Sequence, residues 1–368
     1  MPYPQLDRTR LVMKPLAARA NRKHAERDML DLGEKPPALP PSARRAIDET
    51  AERIRRARAA SRPVMLAFGA HTIKNGLAPA LIALIENGWI THLATNGAGV
   101  IHDWEFAFQG ATSEDVRANV ARGEFGNWRE TGFYLNLALA TGAYEGKGYG
   151  EAVGAMIHRE KLTIPAARDL LDVARESLDD DPERAAAALD FLAVIRRLAL
   201  PPGEMAIPHP CKRFSVQARA YELGAPFTGH PMIGCDIIYN HPANHGAALG
   251  RAALRDFLTF AEGVSRLDGG VYLSVGSAIM SPMLFEKSLS MARNLAQQEG
   301  RRIDNHFVLV VDLAESHWDW TRGEPPHDHP DYYLRFYKTF ARMGGVLRRL
   351  QADNREFLAN LAHRLIHA

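Results

Sequence analysis

The chain has 368 residues, 46% of them hydrophobic and 24% charged, with a formal net charge of +2. That is a globular composition long enough to bury a large core, and near-neutral charge gives no basis for nucleic acid or an anionic membrane as partner. Cys211 and Cys235 are the only cysteines, which excludes a disulfide framework, and neither a secretory signal nor a membrane-length apolar run is visible, so a cytoplasmic protein is expected.

Residues 1–40, rich in proline and charge, read as an extended arm with a short helix, placed to lie on a neighbouring subunit. Ser42 is the expected cap of a helix running to about residue 60. Residues 64–68 read as a buried strand, followed by the glycine-bearing loop 69–76 and an apolar helix over 77–87. A second strand over 91–95, a tight glycine turn at 96–99 and a second helix come next. Strand, glycine loop and helix, repeated, make a βαβ unit. Loops at the carboxyl ends of its strands are where open α/β sheets bind ligands.

The glycine density of 123–150 favours a mobile or ligand-closing loop, or else a connector between helices. Helices are expected over 150–161, 165–176 and 182–198, the last two with proline at the first position. After Pro201-Pro202-Gly203, the spacing predicts helices over 215–223, 247–265, 283–298 and 332–343, and strands over 227–233, 271–275 and 306–313. A last helix over 346–367 packs outside. The sum is one α/β domain over 61–345 with a helical insertion at 117–200, an arm before it and a helix after it. Its sheet is mostly parallel.

Chemistry-bearing residues gather after the strands. Asn96-Gly97-Ala98-Gly99 offers G-x-G, but His102 stands where a dinucleotide fingerprint has its third glycine. Asp103 suits the positive end of a helix, as a ligand contact or only as a cap. Lys74 either pairs with a phosphate or lies along the surface. Residues 229–246 hold Cys235, Asp236, Asn240, His241 and His245. Pro242 prevents the two histidines from sharing a helix face, and the spacing is no zinc signature. A substrate-binding loop is expected there, the alternative being a plain loop whose histidines bond to backbone. Asp312 ends a strand at the carboxyl edge. After it come Trp318, Trp320 and Glu324, where the tryptophans could stack on a planar or cationic group or anchor an interface.

The segment TNGAGVIHD, from Thr95 to Asp103, resembles the glycine-turn signature of the deoxyhypusine synthase-like proteins. Gly69, Ala70, His71, Thr72, Lys74, Asn75 and Gly76 resemble that family's first NAD loop. Pro330-Asp331 precedes Lys338 by the interval that separates a Pro-Asp pair from the family's active-site lysine, and Phe336 stands where the family has tryptophan. The resemblance covers about residues 60–116, extends over 227–345 and is absent over 117–200. Ser277 replaces a family glycine, Met280-Ser281 replace a basic pair, and Tyr332 replaces a glutamate.

What the resemblance implies is a Rossmann-like, mostly parallel sheet of the deoxyhypusine synthase and NAD-binding type. NAD would lie between subunits of a homotetramer, against the first loop, Asn96, Gly97, Ala98, Gly99, His102, Asp103, Gly276, Ser277 and Asp312. Lys338 would form an imine with an oxidised, polyamine-like substrate held by Asp236, Asn240, His241, His245, Trp318, Trp320, Glu324 and Phe336. Two other classes stay open: a nucleotide or phosphosugar enzyme with Lys74 on the phosphate, and a non-enzymatic NAD or nucleotide sensor. In every reading the loops 69–76, 96–103, 274–281 and 312–324 meet at one cleft.

Overall fold

The computed structural model describes residues 3–367. Six strands, β1 (Val64–Phe68), β2 (His92–Asn96), β3 (Phe227–His230), β4 (Val271–Val275), β5 (Phe307–Asp312) and β6 (Val346–Gln351), form one sheet in the order β6-β5-β4-β1-β2-β3. Every pairing in it is parallel. The chain begins at the centre with β1 and moves outward through β2 and β3. It then crosses back to lay β4, β5 and β6 on the other side.

Residue alternation explains why the central strands are apolar throughout. Val64, Leu66 and Phe68 face one buried cluster, and Met65 and Ala67 face the other. Parallel strands covered on both faces must be apolar on both. The first face is covered by α1 (Pro41–Ala59), α3 (Ala78–Glu86), α4 (Gly97–Gln109), α5 (Arg129–Tyr144), α6 (Tyr149–Arg159) and α13 (Asn354–Ile366). A five-residue helix, α2 (Ala70–Lys74), links β1 to α3. Helices α7 (Ala167–Glu176), α8 (Pro182–Leu198) and α9 (Val216–Glu222) lie between α6 and β3 in the chain. The second face is covered by α10 (Gly246–Ser265), α11 (Met280–Gln298) and α12 (Arg335–Ala341). Among the described residues no helix is long and apolar enough to cross a membrane.

Several expectations are corrected. Residues 346–351 are not the start of a helix but the sixth strand. Leu347 and Leu350, three apart, suggest one helical face, yet in a strand they point to opposite faces and enter the two different clusters. The glycine-rich stretch 123–150 is not a mobile loop, since it holds the buried helix α5. Its glycines mark close packing: a Cβ on Gly132 would lie 2.5 Å from His241 Cβ, and one on Gly142 would lie 2.3 Å from that of Ala152. Ser42 is not a cap, because α1 opens at Pro41 after Pro40. Residues 96–99 are not a free turn, because Gly97 is already helical and the Asn96 side chain accepts from the Gly99 N–H.

The N-terminal arm is fastened to its own chain. Residues 23–24 pair antiparallel with 111–112, Leu16 is buried, and the Leu16 N–H donates to Glu130 at 2.6 Å.

Candidate functional site

The chain reverses direction across the sheet between β1 and β4, and there the two following loops touch through bare backbone. The Gly69 N–H donates to the Val275 carbonyl at 3.1 Å. A Cβ on Gly69 would lie 2.1 Å from the Gly276 carbonyl oxygen. Gly276 has φ +57°, and a Cβ there would strike the Asn354 side-chain amide at 2.4 Å. Asn354 in turn donates to Thr72 Oγ1 at 3.1 Å, tying the start of α13 to the loop after β1. Loops 69–76 and 274–281, two of the four expected at one cleft, therefore meet. Asn354 was not foreseen, since position 354 lay inside a supposed helix rather than just after a strand.

On the other side of β1, α4 begins at the end of β2. A Cβ on Gly97 would lie 2.3 Å from Asp236 Oδ2, and one on Gly99 would lie 2.1 Å from Thr95 Oγ1. Asp236 accepts from the Met232 N–H at 3.0 Å and from Tyr239 at 3.4 Å. Burial pushes its carboxyl up to about 6, against the hydrogen bonds, one of them from the Ala98 N–H, that pull it down. The anion-favouring N-terminus of α4 is thus faced by the chain's own carboxylate. Beyond it, His230 ends β3; it shares Thr228 Oγ1 with His92, at 3.0 and 3.1 Å. Burial pushes both imidazoles down to about 3. Neither histidine carries a motif that marks it in the sequence.

Other expected site residues take structural places. Asp103 is fully buried and points away from the cleft. Its carboxylate accepts from Ser215 Oγ (2.6 Å), the Val216 N–H (2.8 Å) and Gln217 Nε2 (2.9 Å), so it anchors the start of α9 and is withdrawn from the cofactor set. Gly76 has φ +79°, and a Cβ there would meet the Asp28 carbonyl oxygen at 2.0 Å, so its freedom serves the arm. Ala70 lies in the first turn of α2, and the Asn75 carbonyl accepts from Arg355 at 3.0 Å.

The loop after β3 is likewise held internally. Asn240 donates to Asn127 Oδ1 at 3.1 Å. His241 Nδ1 accepts from the Ala243 N–H at 3.0 Å, and His245 Nδ1 accepts from Ala248 at 3.3 Å as the cap of α10. The two histidines thus accept from backbone N–H groups, as the plainer alternative has it, and Asn240 is held by a side chain of its own chain.

Across the sheet, Ser277 Oγ accepts from the Ser281 N–H at 3.2 Å, and Ser281 Oγ bonds the buried Tyr272 hydroxyl at 2.8 Å. Asp312 closes its own turn by accepting from the Ala314 N–H at 2.9 Å. In the loop that follows, Asp331 accepts from Ser316 Oγ (2.8 Å), the His317 N–H (2.7 Å) and the Trp318 N–H (2.8 Å). Trp320 is 5% exposed, donates to Ser316 and packs on Tyr337 at 5.5 Å, so it belongs to the core rather than to a stacking platform. Trp318 is half-buried and donates to the Gly323 carbonyl at 2.9 Å. Glu324 is exposed and paired with Arg342.

Lys338 is half-buried on α12, with Nζ 3.5 Å from the centre of the Tyr332 ring. Phe336 is buried in the second cluster and does not share the lysine's exposure, as positions two apart on a helix dictate.

No family model matches the chain, and no curated protein is similar to it. Solved structures are. A LOR/SDH protein from Methanococcus maripaludis S2 is 13% identical with a TM-score of 0.45, over 90% of this chain and 74% of that one. AgrE in a ternary complex with ornithine and NAD+ is 14% identical with a TM-score of 0.45, over 89% of this chain and 34% of that one. ArgZ, an arginine dihydrolase of the ornithine–ammonia cycle in cyanobacteria, is 13% identical with a TM-score of 0.42, over 88% and 32%. This chain spans about a third of the length of ArgZ and AgrE. At such identities, with TM-scores below 0.5, no activity or ligand passes from these proteins to this one.

Proposed function

We propose that the crevice between the β1 and β4 loops binds NAD, and that the protein is an enzyme acting on an amine, an aminoalkyl transferase of the deoxyhypusine synthase-like kind. One observation carries the cofactor reading: the strand order reverses at β1/β4, and there Gly69 and Gly276 meet with no side chain between them. In doubly wound sheets ligands bind outside the carboxyl ends of the strands at this point, and bare backbone lets a pyrophosphate approach closely. Gly69, Thr72, Gly276, Ser277 and Asn354 are the residues that would hold it. Bound there, NAD would supply a hydride acceptor for the carbon that carries the substrate amine.

The amine reading rests on the family resemblance, which gives the role of nucleophile to Lys338. Its Nζ attacks the carbon of the oxidised amine, the bond from that carbon to the original nitrogen breaks, and that nitrogen leaves as an amine carrying a proton taken from the lysine nitrogen, with an imine to the lysine left behind. In the structure the Lys338 Nζ lies 3.5 Å from the centre of the Tyr332 ring, a contact it must leave to attack.

The cofactor reading is tested by thermal unfolding. NAD at a hundred times its Kd should stabilise the protein by about 2.7 kcal/mol and raise Tm accordingly. An unchanged Tm at millimolar NAD would sink the reading. Ile233, Ile279 and Leu313, from three carboxyl-edge loops, are 80%, 62% and 67% exposed. Large apolar side chains so placed support a neighbouring subunit covering the cleft. Light scattering in the presence of NAD should then report an oligomer, with a tetramer expected; a monomer at micromolar concentration refutes it.

A further inference from the structure

A cavity of about 420 Å³ lies along the edge strand β3, walled by α6, α9 and α10. Residues 224–228 line it, so it sits at the amino end of that strand. The crevice between the β1 and β4 loops lies at the carboxyl ends, and none of the residues named for NAD lines this cavity.

Glu151, Gln217, Thr228, Asp256 and Thr259 are the polar lining, and Ala220, Pro226 and Phe227 belong to the apolar one. Asp256 enters from α10 and is 3% exposed. Its Oδ2 accepts from the Gly150 N–H at 2.9 Å and from the Gly229 N–H at 2.7 Å. Gly148 makes room for that carboxylate, since a Cβ there would lie 1.8 Å from Oδ1. Burial pushes Asp256 up to about 7 against three backbone hydrogen bonds, and the charge of Glu151, on the first turn of α6, adds to the rise. Gln217 is 1% exposed, and its Oε1 has no partner among the described residues.

No lysine, arginine or histidine lines the cavity. Arg159 donates to the Tyr221 hydroxyl at 2.6 Å and Arg255 to the Ala143 carbonyl at 2.8 Å, so both neighbouring guanidinium groups are turned to other partners. Capping the start of α6 and the strand edge accounts for Asp256, and a first-turn position suits Glu151. Neither role fills the space they share. A bare metal ion does not fit it, because among the described residues no three His, Cys, Asp or Glu side chains are grouped to hold one. The volume is that of a site for a small organic molecule.

We propose that this cavity is a second binding site, for a primary alkylammonium whose charge is balanced by Glu151 and Asp256 and whose chain lies on Ala220, Pro226 and Phe227. Buried carboxylates want a cation, and the apolar lining wants its chain. The site stands whether or not the crevice binds NAD.

Hexylamine, hexanol and hexanoate share a chain and differ in charge, and calorimetric titration compares them. Hexylamine should bind the wild type at least about tenfold more tightly than hexanol, the size of one charge-assisted hydrogen bond, and hexanoate should not bind. Glu151→Gln, at an exposed position, should remove that preference, and Lys338→Ala should keep it. Thr259→Trp, also at an exposed position, should block amine and alcohol alike. Just below pH 7 the bound cation drives Asp256 to its ionised form, so binding should release protons, read from heats in buffers of different ionisation enthalpy. Asp256→Asn should abolish that release. Should this variant fail to fold, the wild-type release and the Glu151→Gln comparison decide.

Absence of hexylamine binding at millimolar concentration overturns the proposal, and so does equal binding of amine and alcohol. Binding without proton release does the same. An amine preference lost in Lys338→Ala and kept in Glu151→Gln would move the amine to the crevice, which refutes this site and supports the imine reading.

Discussion

Lys338→Ala should abolish product formation, with a loss of at least about a thousandfold in kcat, because the group removed makes a bond rather than a contact. NAD affinity should stay within about tenfold of wild type, since the lysine is placed on α12 and outside the glycine floor formed by Gly69 and Gly276. Lys338→Arg separates chemistry from packing. It keeps a cation over the Tyr332 ring, so the native Tm should be preserved, yet it supplies no nucleophile that is neutral near pH 7. Borohydride added with substrate and NAD should attach substrate to the wild type and to neither variant. Arginine-variant turnover near the wild-type rate would remove Lys338 from the mechanism and leave only a dinucleotide-binding fold.

The fold was legible where burial leaves no choice. Strands β1, β4 and β5 are sealed on both faces along nearly their whole length, which is what a short, mostly apolar run marks. Edge strand β6 was not legible. It carries Arg348 and Arg349 beside Leu347 and Leu350, and arginine stems on an edge strand imitate an amphipathic helix. The buried helix α5 was hidden for a different reason. Its glycines are dictated by partners far along the chain, His241 and Ala152, and not by local backbone.

The site divides along the same line. The glycine loops announce themselves, but that Gly69 lies on Gly276 follows only from the strand order. Asp103 looked like a cofactor contact because it follows the glycines of α4. Its true partner, Ser215, is 112 residues away, and a carboxylate next to a glycine turn reads the same whichever helix it caps. Glu105, two residues further on, drew no attention. It belongs to no motif, and its partner Arg19 lies in the segment read as an extended arm.

Glu105→Ala should cost about 3–5 kcal/mol, because it strands a guanidinium whose side chain is 2% exposed, and breaking a buried pair from one side leaves an unpaid charge. Thr112 and Thr131 lose their acceptor as well, and the arm loses the anchor that places Arg19 over the Trp128 ring. The first segment to detach should be residues 3–30, seen as faster proteolysis there before the core yields. Replacing both charges at once, Arg19→Met with Glu105→Leu, should recover most of the loss, since well-packed apolar groups of similar volume often match a buried pair. The pH dependence follows from the carboxyl. Burial pushes Glu105 upward, but the Arg19 charge and its hydrogen bonds outweigh that, and the folded value lies below the ordinary 4.5. A group lowered in this way contributes its stability above the unfolded value. That contribution is lost as pH falls from 4.5 through the lower folded value, because the unfolded chain then binds the extra proton. The urea midpoint of the wild type should therefore fall more steeply below pH 4.5 than that of the doubly apolar variant. Parallel acid profiles for the two proteins, or an arm equally resistant to protease in Glu105→Ala, would show that the pair does not hold the arm.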